Sequence, residues 1–181
     1  MQDLFNHHGH GYDRLTRTAF GRLHARVLDD AAVAAPVNGV VLDVGAGPGR
    51  VAVALARRRP DLTVYAVDIS PSMVEQARQR ATAAGVADRV HVSRADVADL
   101  PLADASVDLA VSSVSFHHWA DVPAAVRELR RVIRPTGYVW IYDGRIAPWA
   151  RLAQATAAPV PRTRAGWAFV RAQPSLALVP L

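Results

Sequence analysis

The chain is predicted to fold as an α/β domain with a mostly parallel central sheet and helices on both faces. Three observations carry that expectation. Short apolar, β-branched runs recur at residues 40–44, 63–67, 90–95, 107–111 and 138–142, a length and composition suited to strands buried on both faces. Most are joined by stretches with the 3.6-residue apolar period of a helix, the connection that parallel strands require. The first run, Val40-Val41-Leu42-Asp43-Val44, passes directly into Gly45-Ala46-Gly47-Pro48-Gly49 and then into Val51-Ala52-Val53-Ala54-Leu55. Strand, glycine turn and helix N-terminus in succession hold a ligand against exposed backbone N–H groups.

The elements follow in order. Residues 6–11 are polar and glycine-rich, a frayed terminus whose three histidines lack the cysteine or carboxylate partners of a metal site. An amphipathic helix is expected over 15–33, with Leu15, Ala19, Leu23, Val27 and Ala31 on one stripe. The turn at 36–39 hands the chain to the first strand. The first crossover helix closes on Arg57-Arg58-Arg59, where cations suit the negative end of the helix dipole. The second strand, 63–67, ends at Asp68, and a helix over 70–84 follows with Ser70 as N-cap, Pro71 at its first position and Gly85 as its stop. The third strand leads to Asp96-Val97, and a loop over 100–106 leads to the fourth. A helix beginning at 121–123 and a turn at Arg134-Pro135-Thr136-Gly137 bring the chain to the fifth strand.

Composition narrows the function. The 181 residues, 51% hydrophobic, suffice for one core. The absence of cysteine excludes disulfides, thiolate metal sites and thiol nucleophiles. No N-terminal segment resembles a signal peptide and no run is long enough to cross a membrane, so a cytoplasmic protein without membrane contact is expected. The net charge of +5 comes entirely from arginine, since lysine is absent. Scattered arginines read as solvated helix ends, which argues against a nucleic-acid partner.

The glycine register separates two classes of nucleotide site. The dinucleotide fingerprint G-x-G-x-x-G places its third glycine at position 50, where Arg50 stands. The pattern present is Asp43-x-Gly45-x-Gly47-x-Gly49. Asp68 lies nineteen positions beyond Gly49, close to the ~20-residue spacing at which a carboxylate reaches an adjacent ribose. Asp43, Asp68 and Asp96 each end one of three consecutive strands, and open parallel sheets bind ligands beyond the carboxyl ends of their strands.

These motifs, spanning residues 12–143, resemble class I S-adenosylmethionine-dependent methyltransferases with a Rossmann-like sheet. The resemblance implies S-adenosyl-L-methionine as cofactor. Its methionine part and ribose would lie over Asp43, Gly45, Ala46, Gly47 and Gly49. Asp68 would bind both ribose hydroxyls, with Ile69 beside it, and Met73 would serve either the core or the adenine. Asp96 would bond the adenine amino group and the Val97 amide a ring nitrogen. Tyr12, in Tyr12-Asp13-Arg14, would either close over the cofactor as a lid or pack the helix start. Ser112 would line the site where the fourth strand runs out. The stretch Ser113-Val114-Ser115-Phe116-His117-His118-Trp119 resembles the Ser-x-x-x-His-His-Trp of small-molecule enzymes of this group. The Asn/Asp-Pro-Pro-aromatic motif of enzymes acting on adenine or glutamine amino groups is absent. Histidine suits a general base near neutral pH, so His117 either deprotonates the acceptor or, like His118, caps the next helix or lines the pocket.

A single methyltransferase-like domain is expected over 1–181. Residues 1–35 would form the N-terminal helix and lid, 36–143 the cofactor-binding core, and 144–181 a shortened C-terminal segment. That segment is expected to hold a short helix over 147–157 and a pairing of 167–172 with 176–179, interrupted by Pro159, Pro161 and Pro180. The implied activity is methyl transfer to a small-molecule acceptor without a metal. The alternatives are a cofactor-binding protein that acts through a partner without turnover, and a nicotinamide-dependent oxidoreductase, which Arg50 opposes.

Overall fold

The computed structural model describes residues 21–144, 147–156 and 167–172. The expected lid residue Tyr12, the histidines of 6–11, the start of the first helix and residues 173–181 lie outside them. The elements are α1 (Gly21–Ala34), β1 (Val40–Val44), α2 (Arg50–Arg58), β2 (Thr63–Asp68), α3 (Pro71–Ala83), β3 (Val90–Arg94) and β4 (Val107–Ser113). A 3₁₀ turn (Phe116–His118), α4 (Val122–Val132), β5 (Ile133–Gly144), α5 (Trp149–Thr156) and β6 (Trp167–Ala172) complete the order.

The sheet order is β3-β2-β1-β4-β5-β6. Strands β1 to β5 are parallel and β6 is antiparallel to β5. The chain works outward from β1 to β3 and then returns to the other side of β1 as β4. Between the carboxyl ends of β1 and β4 the sheet therefore has a topological switch point, where a ligand crevice opens. One face of the sheet packs against α1 and α2 through Leu23, Val27, Ala31, Val51 and Leu55. The other packs against α4 and α5 through Val122, Val126, Leu129, Trp149 and Leu152. Burial on both faces explains why the central strands read as continuous apolar runs.

Two elements depart from expectation, and a third gains a partner that the sequence did not name while its expected one, 176–179, lies outside the described residues. Strand β4 continues two residues beyond 111, because Ser112 and Ser113 pair with Ile141 and Tyr142 of β5. The turn expected at 134–137 is absorbed into β5 as a bulge: Val107 faces Ile133, whereas Leu109 faces Tyr138. The bulge is fixed by the ion pair of Arg134 with Asp108, whose carboxylate also accepts from Val40 N at 2.8 Å. Gly137 permits it, since a Cβ there would lie 2.7 Å from the Asp108 carbonyl oxygen. Finally, residues 167–172 do form a strand, and its partner among the described residues is β5. The exposed edge of β5 offers unpaired backbone groups, and a returning strand satisfies them.

The arginine cluster resolves into buttresses. Arg59 pairs with Asp61 at 2.7 Å and donates to the carbonyls of Ala32, Ala35 and Pro36 at the end of α1. Arg58 pairs with Asp29 of α1. These contacts, with the 2.9 Å bond from Tyr142 Oη to Asp30, anchor α1 to the sheet.

Candidate active site

The glycine turn follows β1 at the switch point. Ala46 N donates to Val67 O and Gly49 N to Ala46 O, both at 3.0 Å, and Gly45, Gly47 and Gly49 all have positive φ. At Gly49 (φ +76°) the reason for glycine is packing as well as backbone, since a Cβ would lie 2.9 Å from Ala77 Cβ of α3. At Gly47 (φ +53°) no atom beyond the glycine and its two chain neighbours stands within 4 Å of the Cβ position. That side of the turn is open to a ligand.

Asp43 lies beneath the turn and is 2% exposed. It accepts from the backbone N–H of Ala52, while its Oδ2 has no partner. Burial pushes its carboxyl up to about 7; the Ala52 N–H acts against that rise and the nearby Asp68 carboxylate adds to it. A buried, half-satisfied carboxylate is costly for folding and characteristic of a ligand site. It lines one cleft with Gly47, His24, Arg50, Ser113 and Val114. Burial, and then the charge of Arg50, lower the pKa of His24. The hydroxyl of Ser113 is also buried without a partner.

Asp68, at the end of β2, accepts from Gly47 N at 2.8 Å through Oδ2 and from Ser70 N at 2.9 Å through Oδ1. It thus ties the glycine turn to the start of α3. Burial raises its pKa, and the N–H groups of Ser70, Gly47 and Ile69 oppose the rise. Each oxygen keeps a second lone pair for a further donor. Ser70 occupies the N-cap position, but its hydroxyl does not cap: it lies 3.0 Å from Ser72 Oγ. Ile69 is 45% exposed beside Asp68, an apolar surface at the crevice. Met73 is 3% exposed and belongs to the packed interior.

Asp96 is exposed and accepts from Ala98 N at 2.9 Å, a local turn that leaves its carboxylate at the rim, with Val97 buried behind it. Ser112 is buried at the end of β4, its Oγ 2.7 Å from Ser115 Oγ, and Ser115 donates to Val44 O at 3.0 Å. Ser115 therefore clips the exit of β4 to the start of the glycine turn. The clip is close enough that a Cβ on Gly45 would lie 2.3 Å from Ser115 Cβ.

Two residues on, the 3₁₀ turn presents His117. Its Nδ1 lies 2.9 and 3.0 Å from the two oxygens of Asp143, and its backbone N–H donates to Asp143 Oδ2 at 3.0 Å. Asp143, at the end of β5, is 2% exposed and also accepts from Gly144 N at 2.7 Å. The ring of His118 sits 3.9 Å from that of His117, and burial, with the charge of His117, lowers the His118 pKa while Asp143 opposes. Neither histidine caps α4; Asp121 does so, accepting from Ala124 N at 2.9 Å. Phe116 anchors the turn, packing edge-on against Trp119 and tilted against Trp149, with ring centroids 5.2 and 5.0 Å away. Sequence reasoning missed Asp143, Ser115 and His24. Among the described residues no group of three His, Cys, Asp or Glu side chains is arranged to hold a metal, and no helix is long and apolar enough to cross a membrane.

Comparison with known proteins agrees with this arrangement. The family described as "Methyltransferase domain" matches residues 42–141, from β1 into β5. The chain is 38% identical over 108 residues to 27-O-demethylrifamycin SV methyltransferase of Amycolatopsis mediterranei, covering 60% of this chain and 39% of the relative. It is 33% identical over 147 residues to a ubiquinone/menaquinone biosynthesis C-methyltransferase of Geotalea daltonii, covering 79% and 62% respectively. The chain thus spans less than two thirds of each relative's length. Its fold matches that of a putative S-adenosyl-L-methionine-dependent methyltransferase of Methanococcus maripaludis with a TM-score of 0.69 and 28% identity, over 82% of this chain and 68% of the other. The aspartate-ended parallel strands, the glycine turn at the switch point and the match across β1 to β5 place the chain in the class I S-adenosylmethionine-dependent methyltransferase family.

Proposed function

We propose that the protein binds S-adenosylmethionine at the carboxyl ends of β1, β2 and β3 and transfers its methyl group to a small-molecule acceptor. The observation that carries this reading is the partnerless Asp43 Oδ2, buried beneath a glycine turn whose outer side is open at Gly47. A cationic group of the ligand supplies the missing donor and favours the ionised carboxylate. The second lone pairs of Asp68 accept from vicinal hydroxyls, which fits a ribose better than a phosphate. Ile69 gives the adenine an apolar surface, and Asp96 accepts from its exocyclic amine.

When bound, the cofactor supplies an electrophilic methyl group on a sulfonium. The chain's own part is to hold that group and the acceptor in one geometry, an effect worth ~7–11 kcal/mol of barrier in well-oriented systems. His117 acts as general base on the acceptor, at the exit of β4 on the same sheet edge as the glycine turn. The two relatives named for rifamycin and quinone substrates support a small molecule as acceptor.

The test is incubation with methyl-labelled S-adenosylmethionine and a fractionated metabolite extract. Label is expected in a low-molecular-weight product, with S-adenosylhomocysteine formed in equal amount. Label confined to protein or nucleic acid contradicts the small-molecule reading. Tight cofactor binding with no transfer to any fraction favours the non-catalytic alternative.

A further inference from the structure

We infer that Asp143 is a positioning residue that fixes His117 as an Nδ1–H imidazole, so that Nε2 is the proton acceptor and the methyl acceptor is a protic nucleophile of the phenol or enol class. The inference deepens the transferase reading and rests on it for the acceptor alone.

The hydrogen-bond inventory assigns the tautomer. Both Asp143 oxygens already accept backbone N–H groups, from His117 and Gly144, so the carboxyl serves here as an acceptor. The contacts of Nδ1 to both oxygens, at 2.9 and 3.0 Å, are then satisfied only if Nδ1 carries the proton and donates it. Nε2, on the far side of the ring, is left as the basic nitrogen. Burial of the Asp143 side chain to 3% exposure keeps water from competing for Nδ1. The His117 side chain keeps 32% of its surface, so a proton taken up at Nε2 can leave to solvent. The titratable groups against the ring, among the described residues, are Asp143 from β5 and His118 from the same turn.

The arrangement suits an acceptor that must lose a proton as it reacts. The acceptor O–H gives its proton to Nε2, and the oxygen pair so released forms the new bond to the methyl carbon. The carbon–sulfur bond breaks with its electron pair passing to sulfur, which cancels the sulfonium charge. The products are a methyl ether, S-adenosylhomocysteine and an imidazolium paired with the Asp143 carboxylate. Tertiary amines and thioethers carry no such proton and gain nothing from this dyad.

Long-range ¹H–¹⁵N correlation spectra of the labelled full chain, with His117→Ala for assignment, read the tautomer without any substrate. The parent is expected to show a protonated Nδ1 and a bare Nε2 at pH 8. Asp143→Asn places an NH₂ donor against Nδ1 and is expected to move the proton to Nε2, while Asp143→Glu restores the parent pattern in part. S-adenosylhomocysteine affinity, by calorimetry, should stay within about threefold of the parent in both variants. With S-adenosylmethionine and a panel of phenols, enols, tertiary amines and thioethers, turnover is expected on the protic members. It should fall by ~10²–10⁴ in Asp143→Asn. An Nε2–H imidazole in the parent overturns the positioning role, whatever the cofactor titration gives. Preferred turnover of tertiary amines or thioethers overturns the acceptor class. Failure of the parent to bind S-adenosylhomocysteine refutes the transferase reading itself and leaves the tautomer result standing separately.

Discussion

Replacing Asp43 by asparagine separates what the buried carboxylate costs the fold from what it does for the ligand. In the folded protein its pKa stands near 7 rather than 3.8, chiefly because burial penalises the charge. Between those values the folded state holds a proton that the unfolded state has released, so this group lowers stability as pH rises through the window. The penalty is full above pH 7. At 1.36 kcal/mol per unit it amounts to about 4 kcal/mol, most of it developing between pH 4 and 8. The amide of Asp43→Asn would keep an oxygen for the Ala52 N–H and carry no charge at any pH. Its NH₂ would stand where Oδ2 has no partner, at a cost of about 1–3 kcal/mol for an unsatisfied buried donor. The protonated parent also buries an unpaired O–H at pH 4, so the two are expected to be of similar stability there, with the variant more stable at pH 8 by about 1–4 kcal/mol. Urea unfolding of the cofactor-free protein at the two pH values measures the difference, and other titrating groups cancel in the comparison. A difference that does not change with pH refutes the buried-charge argument. The same substitution is expected to weaken S-adenosylhomocysteine binding, because the charge that burdens the fold is the one the ligand neutralises.

Asp68→Ala should weaken cofactor binding by about 1.5–3 kcal/mol in a calorimetric titration, the range for hydrogen bonds to a charged group, with Asp68→Asn between the two. Gly49→Ala should lower unfolding stability by about 1–3 kcal/mol, because the new methyl meets Ala77 at 2.9 Å in a backbone conformation of φ +76°. Arg59→Ala should destabilise by about 1.5–3 kcal/mol in urea unfolding, since it leaves the carbonyls of Ala32, Ala35 and Pro36 without their charged donor. Cofactor affinity should be unchanged in that variant, as Arg59 lies at the amino-terminal edge of the sheet.

The parallel core was legible because its signals are local. An apolar run such as Val40–Val44 buries both its faces, and the glycines after it answer to positive φ within a five-residue turn. The acids at 43, 68 and 96 were legible because each lies at, or within two residues of, the carboxyl end of its strand. What escaped the sequence depends on contacts between distant elements. Asp143 reads as the polar end of a strand; only the pairing of β5 with β4 brings it to His117, twenty-six residues away. Its signal was present as a single acid closing an apolar strand, the same sign that marks Asp43 and Asp68. Ser115 escaped for a similar reason, since its bond to Val44 O spans seventy-one residues. The bulge at 134–137 reads as a turn because Pro135 and Gly137 are turn residues. The ion pair of Arg134 with Asp108, which folds those residues into the strand, is invisible to local propensity. At Ser70 the N-cap position follows from Pro71 after it, but the partner its hydroxyl takes, here Ser72 Oγ, is not set by position.

The central claim is that this glycine turn and its three aspartates form a nucleoside site for a sulfonium cofactor. Isothermal titration of the protein with S-adenosylmethionine, S-adenosylhomocysteine and NAD tests it most directly. S-adenosylmethionine and S-adenosylhomocysteine are expected to bind with comparable affinity, since both present the same ribose and adenine to Asp68 and Asp96, and NAD is expected to show no saturable heat. Tight binding of NAD with none of the other two contradicts the account.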